Sequence, residues 1–318
     1  MNCNRIRRVL APGCLVVAAY SAPAVAASLD LAVGGTGLSL GDSRGIRGVR
    51  INLVDRRLER VVGVNVTLLS AWGPRRGEVV GVAVGLKPGL RRVHGLGLGI
   101  LALDAKRVEG VVLATTGAAA GGDVRGLLLG GIGASVGDDA TGVLIGGIGS
   151  AVGGTLKGIS IGGVGTSVQG DLTGLSAALI GASVGGDFKG VGLAGIGMYA
   201  AGDARGLVVS GIGAAVGGHF RGIVAGAWGV SVAGDLEGIA IGGVEVTATR
   251  VSGLTVGLLN GVSLNSLDFR AVNDSHHGVA MGVFNFSREL TGVQIGLLNY
   301  AGNNPKWARL LPIINVHR

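Results

Sequence analysis

Gly206-Leu-Val-Val-Ser-Gly-Ile-Gly-Ala-Ala-Val-Gly-Gly-His-Phe-Arg221 is one period of a sixteen-residue repeat. Its opening glycine recurs at Gly110, Gly126, Gly142, Gly158, Gly174, Gly190, Gly206, Gly222 and Gly238. The looser phrase Gly-h-x-h, with h apolar, carries the pattern back to Gly48, Gly63, Gly81 and Gly95. It also runs forward to Gly253, Gly278 and Gly292. Self-similarity at such a period marks stacked units, none of which can bury a core alone. Spacing loosens at two places, where loops are expected: Gly73-Pro74-Arg75-Arg76 and Asn273 to His277.

Numbered from the opening glycine, five columns are apolar and are expected to form the core. They are the second, fourth, seventh, eleventh and fifteenth, held in this period by Leu207, Val209, Ile212, Val216 and Phe220. A strand turns alternate residues to one side. The odd steps from column four to seven and from fifteen to the next second column therefore call for turns. A third turn is expected at columns twelve and thirteen, commonly Gly-Gly, because glycine is suited to tight corners. Three short sides per period describe a roughly triangular coil. The expected fold is all-β: a parallel β-solenoid (β-helix) of roughly 16-residue coils. The alternative is an antiparallel outer-membrane β-barrel, whose strand and turn also fit the period. Against it stand the 3% aromatic content, too low for aromatic girdles, the parity break at columns four to seven, and an arginine at position 318. Recurrent glycine makes helix a poor reading.

The 318 residues include 65 glycines, and 48% are hydrophobic, too apolar for a disordered tail. The terminal Arg5, Arg7 and Arg8, a short apolar stretch around Leu15 to Tyr20, and Ala24-Val25-Ala26 have the order of a cleavable export signal. The expected organisation is a signal peptide over 1–26, a glycine-rich solenoid over 27–302 and a C-terminal cap over 303–318, with Tyr300 beside the cap and Trp307 within it. Cys3 and Cys14 both fall in the leader, so no disulfide or thiolate metal site is expected beyond it.

Four patterns bear on possible chemistry. Column fourteen is acidic at Asp123, Asp139, Asp171, Asp187, Asp203 and Asp235. One carboxylate per coil falls short of the ligand sets of calcium-binding repeats, so an exposed turn ladder with neighbouring cations is expected. Gly-x-Ser-x-Gly occurs around Ser39, Ser135, Ser160 and Ser183. Its recurrence in repeat columns, without a strand-turn-helix setting, points to composition and not to a hydrolase elbow. His276 and His277 are neighbours on what would be an extended chain and point apart, which is poor metal geometry. No phosphate loop is present. No cofactor, metal or catalytic set is expected.

Net charge is +8, from 27 Lys+Arg against 19 Asp+Glu. Basic residues crowd between Arg44 and Glu109. The candidate binding surface is Arg56, Arg57, Arg60, Arg75, Arg76, Arg91 and Arg92, facing anionic lipid or acidic glycan at the envelope. Nucleic acid is disfavoured for an exported chain with few stacking aromatics.

Gly253-Leu-Thr-Val-Gly-Leu-Leu-Asn260, Gly278-Val-Ala-Met-Gly-Val-Phe-Asn285 and Gly292-Val-Gln-Ile-Gly-Leu-Leu-Asn299 share one phrase, Gly-h-x-h-Gly-h-h-Asn. In it the chain resembles uncharacterised bacterial surface-repeat proteins, closely over these three units and loosely over most of the rest. The middle coils depart from it, with Gly-Gly-h-Gly in place of Gly-h-h-Asn. The resemblance implies envelope location and no established activity, and it carries over no functional residue. The expected function is that of an exported envelope or cell-surface protein with a structural, adhesive or binding role, and not an enzyme. A β-helix enzyme acting on acidic polysaccharide and the membrane barrel are the alternatives.

Overall fold

A computed structural model describes residues 28–70, 75–264 and 270–318. The expected leader and both cysteines lie outside the described residues, as do Trp72, Gly73 and Pro74. The fold is an all-β parallel β-solenoid of about 15 turns at roughly 16-residue spacing, not a barrel. Two compact units divide the chain, Met1–Gly130 and Gly131–Arg318.

In the second unit each regular coil holds a seven-residue strand and a four-residue strand, as in Phe220–Gly226 and Gly229–Val232. Each strand pairs in parallel with its equivalent one period on. Phe188 lies against Ala204, Gly190 against Gly206 and Leu193 against Val209. The corners stack too. Ile212 N donates to Ile196 O at 2.8 Å and Gly218 N to Gly202 O at 3.1 Å. Backbone pairing therefore continues round the bends, where an unpaired polar group would otherwise be costly.

The opening glycine is the bend within the long strand. Gly190 has φ +140, and a Cβ there would lie 1.8 Å from the carbonyl oxygen of Gly174 in the coil before. Only a residue without a side chain allows both the dihedral and the approach.

The core corrects the expected columns. Buried positions are the third, fifth, ninth, eleventh and fifteenth, held in one coil by Val208, Ser210, Ala214, Val216 and Phe220. Columns two, four and seven point outward: Ile223, Val209 and Ile212 are exposed. Every inward column is odd, so alternation runs through the glycine bend without a break and the coil, an even number of residues long, repeats in phase. The interior is narrow, and its residues are matched in size. A Cβ on Gly192 would meet the Met198 Sδ at 2.1 Å, so glycine there makes room for Met198 and Phe188. Two pairs of hydroxyls inside meet across adjacent coils: those of Ser150 and Ser160 lie 2.7 Å apart, as do those of Thr166 and Ser176.

Three later coils carry an asparagine ladder. Asn260 Nδ2 donates to Asn285 Oδ1 and Asn285 Nδ2 to Asn299 Oδ1, both at 2.7 Å, with all three residues buried. Asn260 takes the inward place that Val246 holds one coil earlier. This ladder is the structural content of the Gly-h-h-Asn phrase. Before Gly278 the coil is interrupted by an excursion whose Val262–Ser263 pairs antiparallel with Arg270–Ala271. The loop expected at Asn273 to His277 is therefore displaced: His276 and His277 already belong to the strand Ser275–Met281. The extended backbone leaves them no loop geometry, and it turns His276 inward and His277 outward.

His276 replaces an apolar residue in column fifteen, between Val251 and Leu290. Its Nε2 is buried without a hydrogen-bond partner. Burial pushes its pKa down to about 4, against a smaller upward pull from the Val279 backbone. The native state thus holds the neutral ring, while the unfolded chain takes up a proton below pH ~6.5. Stability from this group is complete above that value and is lost as pH falls from about 6.5 towards 4. The loss is on the order of 3 kcal/mol. His276→Leu should flatten that part of a stability-against-pH curve measured by urea unfolding; an unchanged slope would assign it elsewhere.

The first and last strands of the described residues are antiparallel to their partners. Ser28–Val33 pairs with Thr36–Gly41 in the first unit. In the second, Leu310–His317 folds back on Glu289–Ala301 after the short 3-10 turn Lys306–Ala308. The register slips between Gly296 and Asn299, opposite Pro312, and Ile313 there has φ 68.

Candidate anion-binding groove

The first unit has less regular coils, with its bend glycines at Gly37, Gly48, Gly63, Gly81, Gly95, Gly110 and Gly126. Its strands are long, as in Gly45–Asp55, Arg60–Ser70, Arg76–Lys87 and Gly89–Gly99. The connections between them bring distant arginines to one side. Arg44, Arg57, Arg75, Arg76 and Arg91 line a groove of about 460 Å³ together with Leu58, Glu59 and Gly77. The floor is local in origin. Leu58 is buried, and a Cβ on Gly77 (φ +79) would overlap the Leu58 Cγ at 2.3 Å, so the chain can pass only as glycine. Arg91 stands out because Arg76 pairs with Leu90 and Glu78 with Arg92, which leaves Gly77 and Arg91 between those pairs.

Five guanidinium groups face one carboxylate. Arg44 Nη1 lies 3.6 Å from Glu59 Oε1, a pair with both side chains largely in solvent. Arg75 pairs with Asp104. Arg57 Nε sits 3.3 Å from Asp42 Oδ2. Arg76 and Arg91 have no acidic partner among the described residues. An arginine fork suits the oxygens of carboxylate, phosphate or sulfate groups.

Asp42 ties the groove to the interior. It is buried, and it also accepts from Arg50 Nη2 at 3.1 Å and from the backbone N–H of Arg56 at 3.2 Å. Arg50 is wholly buried, in the third column after Gly48. There it also meets Asp55, Asn65 Oδ1 at 2.9 Å and Ser43 O at 3.2 Å. Two guanidinium groups, Arg50 and Arg57, thus balance two carboxylates, Asp42 and Asp55, and the cluster is close to neutral. It anchors Arg57 to the scaffold.

Of the expected arginines, Arg57, Arg75, Arg76 and Arg91 line the groove. The others do not: Arg56 engages Asp42 through its backbone, Arg60 lies exposed at the start of its strand opposite Glu78, and Arg92 Nη1 lies 3.9 Å from Glu78. Arg44 completes the groove. It stood in the basic crowd, but the backbone hydrogen bonds from Glu59 N to Arg44 O and from Glu78 N to Glu59 O are what bring it beside 75–77.

The acid column of the second unit braces the stack. Asp171 Oδ1 accepts the backbone N–H of Asp187 at 2.8 Å, and Asp187 Oδ1 that of Asp203 at 3.0 Å. Asp235 ends the row, held below the usual carboxylate range by its hydrogen bonds to Arg250 at 2.7 and 2.8 Å. The serines of Gly-x-Ser-x-Gly scatter: Ser160 is paired in the core, Ser39 donates to Asp30 at 2.5 Å, and Ser135 and Ser183 are exposed. Among the described residues no three His, Cys, Asp or Glu side chains group as a metal site. No helix of the described residues is long and apolar enough to cross a membrane.

Compared with family models, curated proteins and solved structures, the chain finds no match. Fold and groove together define the class: a parallel β-solenoid with an arginine-lined groove.

Proposed function

We propose that this protein is an exported, non-catalytic repeat protein of the bacterial envelope that binds acidic glycan through the arginine groove. The observation that carries the reading is the convergence of Arg44, Arg57, Arg75, Arg76 and Arg91 on one side of the first unit, with Arg76 and Arg91 lacking an acidic partner among the described residues. The leader-like segment and the surface-repeat phrase support the location. The solenoid supplies rigidity, since every coil is tied to its neighbours by backbone ladders. Rigid placement lowers the ordering cost when an extended polyanion lies down.

Titration calorimetry with an oligogalacturonate tests it, with inorganic phosphate and phosphatidylglycerol vesicles as the small-anion and lipid arms. Arg76→Ala and Arg91→Ala should each weaken glycan binding about tenfold, because a charge-assisted hydrogen bond contributes about 1.5–3 kcal/mol. Raising salt should weaken it further. Equal affinity in the double variant would remove the groove from the account. Vesicle binding that Arg76→Ala with Arg91→Ala abolishes would replace glycan by lipid headgroup as the ligand of the groove.

A further inference from the structure

The outward columns of the second unit form a surface that the groove does not use. Columns two, four and seven hold no polar side chain from the coil of Gly142 to that of Gly292. Column seven is the most exposed: Ile148 is 55% exposed, Ile196 47% and Trp228 61%. The C-terminal strand prolongs two rows, since Val316 pairs with Val293 and Ile314 with Ile295, both exposed. Ten bend glycines from Gly142 to Gly292 mark ten coils. At ~4.8 Å per coil and roughly 15 Å of width, the apolar face covers on the order of 700 Å². That exceeds the largest patch of an ordinary soluble monomer, about 300–600 Å².

The borders of this face are chemically specific. One step across the glycine bend runs a row of cations, in which Lys189, Arg205 and Arg221 stack in register. Like charges placed directly opposite repel. Only Arg221 has an ion-pair partner, Glu237 at 3.4 Å; Lys189 and Arg205 have none among the described residues. The nearest acids, Asp187 and Asp203, lie two residues further from the face. They spend an oxygen on backbone N–H groups, of Asp203 and His219. On the other border stand the exposed aromatics Trp228 and, on the adjoining strand, Tyr199. An apolar field edged by cations on one side and by Trp and Tyr on the other has the pattern of a surface that lies in the headgroup layer of a bilayer.

We propose that this face docks on an anionic lipid surface. The apolar rows enter the acyl boundary, the Lys189, Arg205 and Arg221 row meets the headgroup phosphates, and Trp228 sits at the interface. The proposal is independent of the groove.

The purified protein is sedimented with phosphatidylglycerol-containing vesicles and with neutral phosphatidylcholine vesicles. Trp228 fluorescence is read in a Trp72→Phe, Trp307→Phe background. The expected result is binding to the anionic vesicles, a blue shift of Trp228 and quenching by bromine-labelled acyl chains. Lys189→Glu with Arg205→Glu should weaken binding at least about tenfold, since each basic residue near such a surface contributes about a factor of five. Ile196→Asp with Ile212→Asp should abolish it with the unfolding midpoint retained, both side chains being outward. Arg76→Ala with Arg91→Ala should leave it unchanged. Absence of vesicle binding by the parent protein, or binding without quenching of Trp228, overturns the proposal whatever the variants do. So does a solution oligomer that Ile196→Asp with Ile212→Asp dissolves while vesicles have no effect, which would give the face to a second copy.

Discussion

Gly190→Ala is expected to cost more than about 4 kcal/mol. Two penalties coincide. The φ of +140 belongs to a region that is essentially glycine's own, worth about 1–3 kcal/mol to a residue with a side chain. The new Cβ would also stand 1.8 Å from Gly174 O and 2.8 Å from its carbonyl carbon. Those atoms are backbone, held in the ladder, and cannot swing away as a side-chain tip could. Relief requires parting two coils and breaking their hydrogen bonds, and effects above 4–5 kcal/mol arise in such settings. Gly181→Ala is the control. It has no positive φ, and its Cβ would find only Gly197 O at 3.7 Å, so it should shift the urea midpoint by less than about 1 kcal/mol. Should Gly190→Ala unfold within 1 kcal/mol of the parent, the bend is not as tight as described.

Arg50→Ala is expected to cost about 3–5 kcal/mol. Removing one partner from a buried ion pair leaves the other charge uncompensated. Here it leaves Asp55 without its cation and Asp42 with Arg57 alone, while Asn65 and Ser43 lose a donor. The cost should be recoverable. Combining Arg50→Leu with Asp42→Asn and Asp55→Asn removes the buried charges together and should restore more than half of the lost stability in thermal unfolding. Additivity of the three substitutions would show that the cluster is not coupled.

The period, the parallel stacking and the corner role of glycine were legible because a sixteen-residue register of glycine needs no knowledge of which way side chains point. The direction of the side chains was misread for a physical reason. Ile212 and Leu207 look like core because they are large and apolar, yet their places in the coil turn them outward, while leucines of equal size such as Leu144 and Leu172 are buried in columns three and fifteen. In the coil of Gly206 the interior takes Val208, Ser210, Ala214, Val216 and Phe220. Apolarity is a weak guide to burial when the surface itself is apolar. The buried columns three, five, nine, eleven and fifteen are all odd, a parity that the expected columns two and four broke; column seven is odd as well but lies at a corner and points outward. The arginine crowd was visible in composition. Which arginines converge was not, because the spacing of bend glycines in the first unit varies, so the register that sets Arg91 beside Gly77 cannot be read from a fixed period. Arg50 was indistinguishable by charge from its exposed neighbours; only its place two residues after Gly48 sets it inside.

The backward-running strand Leu310–His317 has a consequence for how a stacked fold of this kind avoids becoming a fibre. A parallel coil offers the next chain a template that could be copied without limit. Here the outermost strand runs against the grain. Proline at 312 offers no donor, and the left-handed turn at Ile313 breaks the line of groups that a newcomer would read. The backward strand therefore offers an incoming chain no parallel template on its free side.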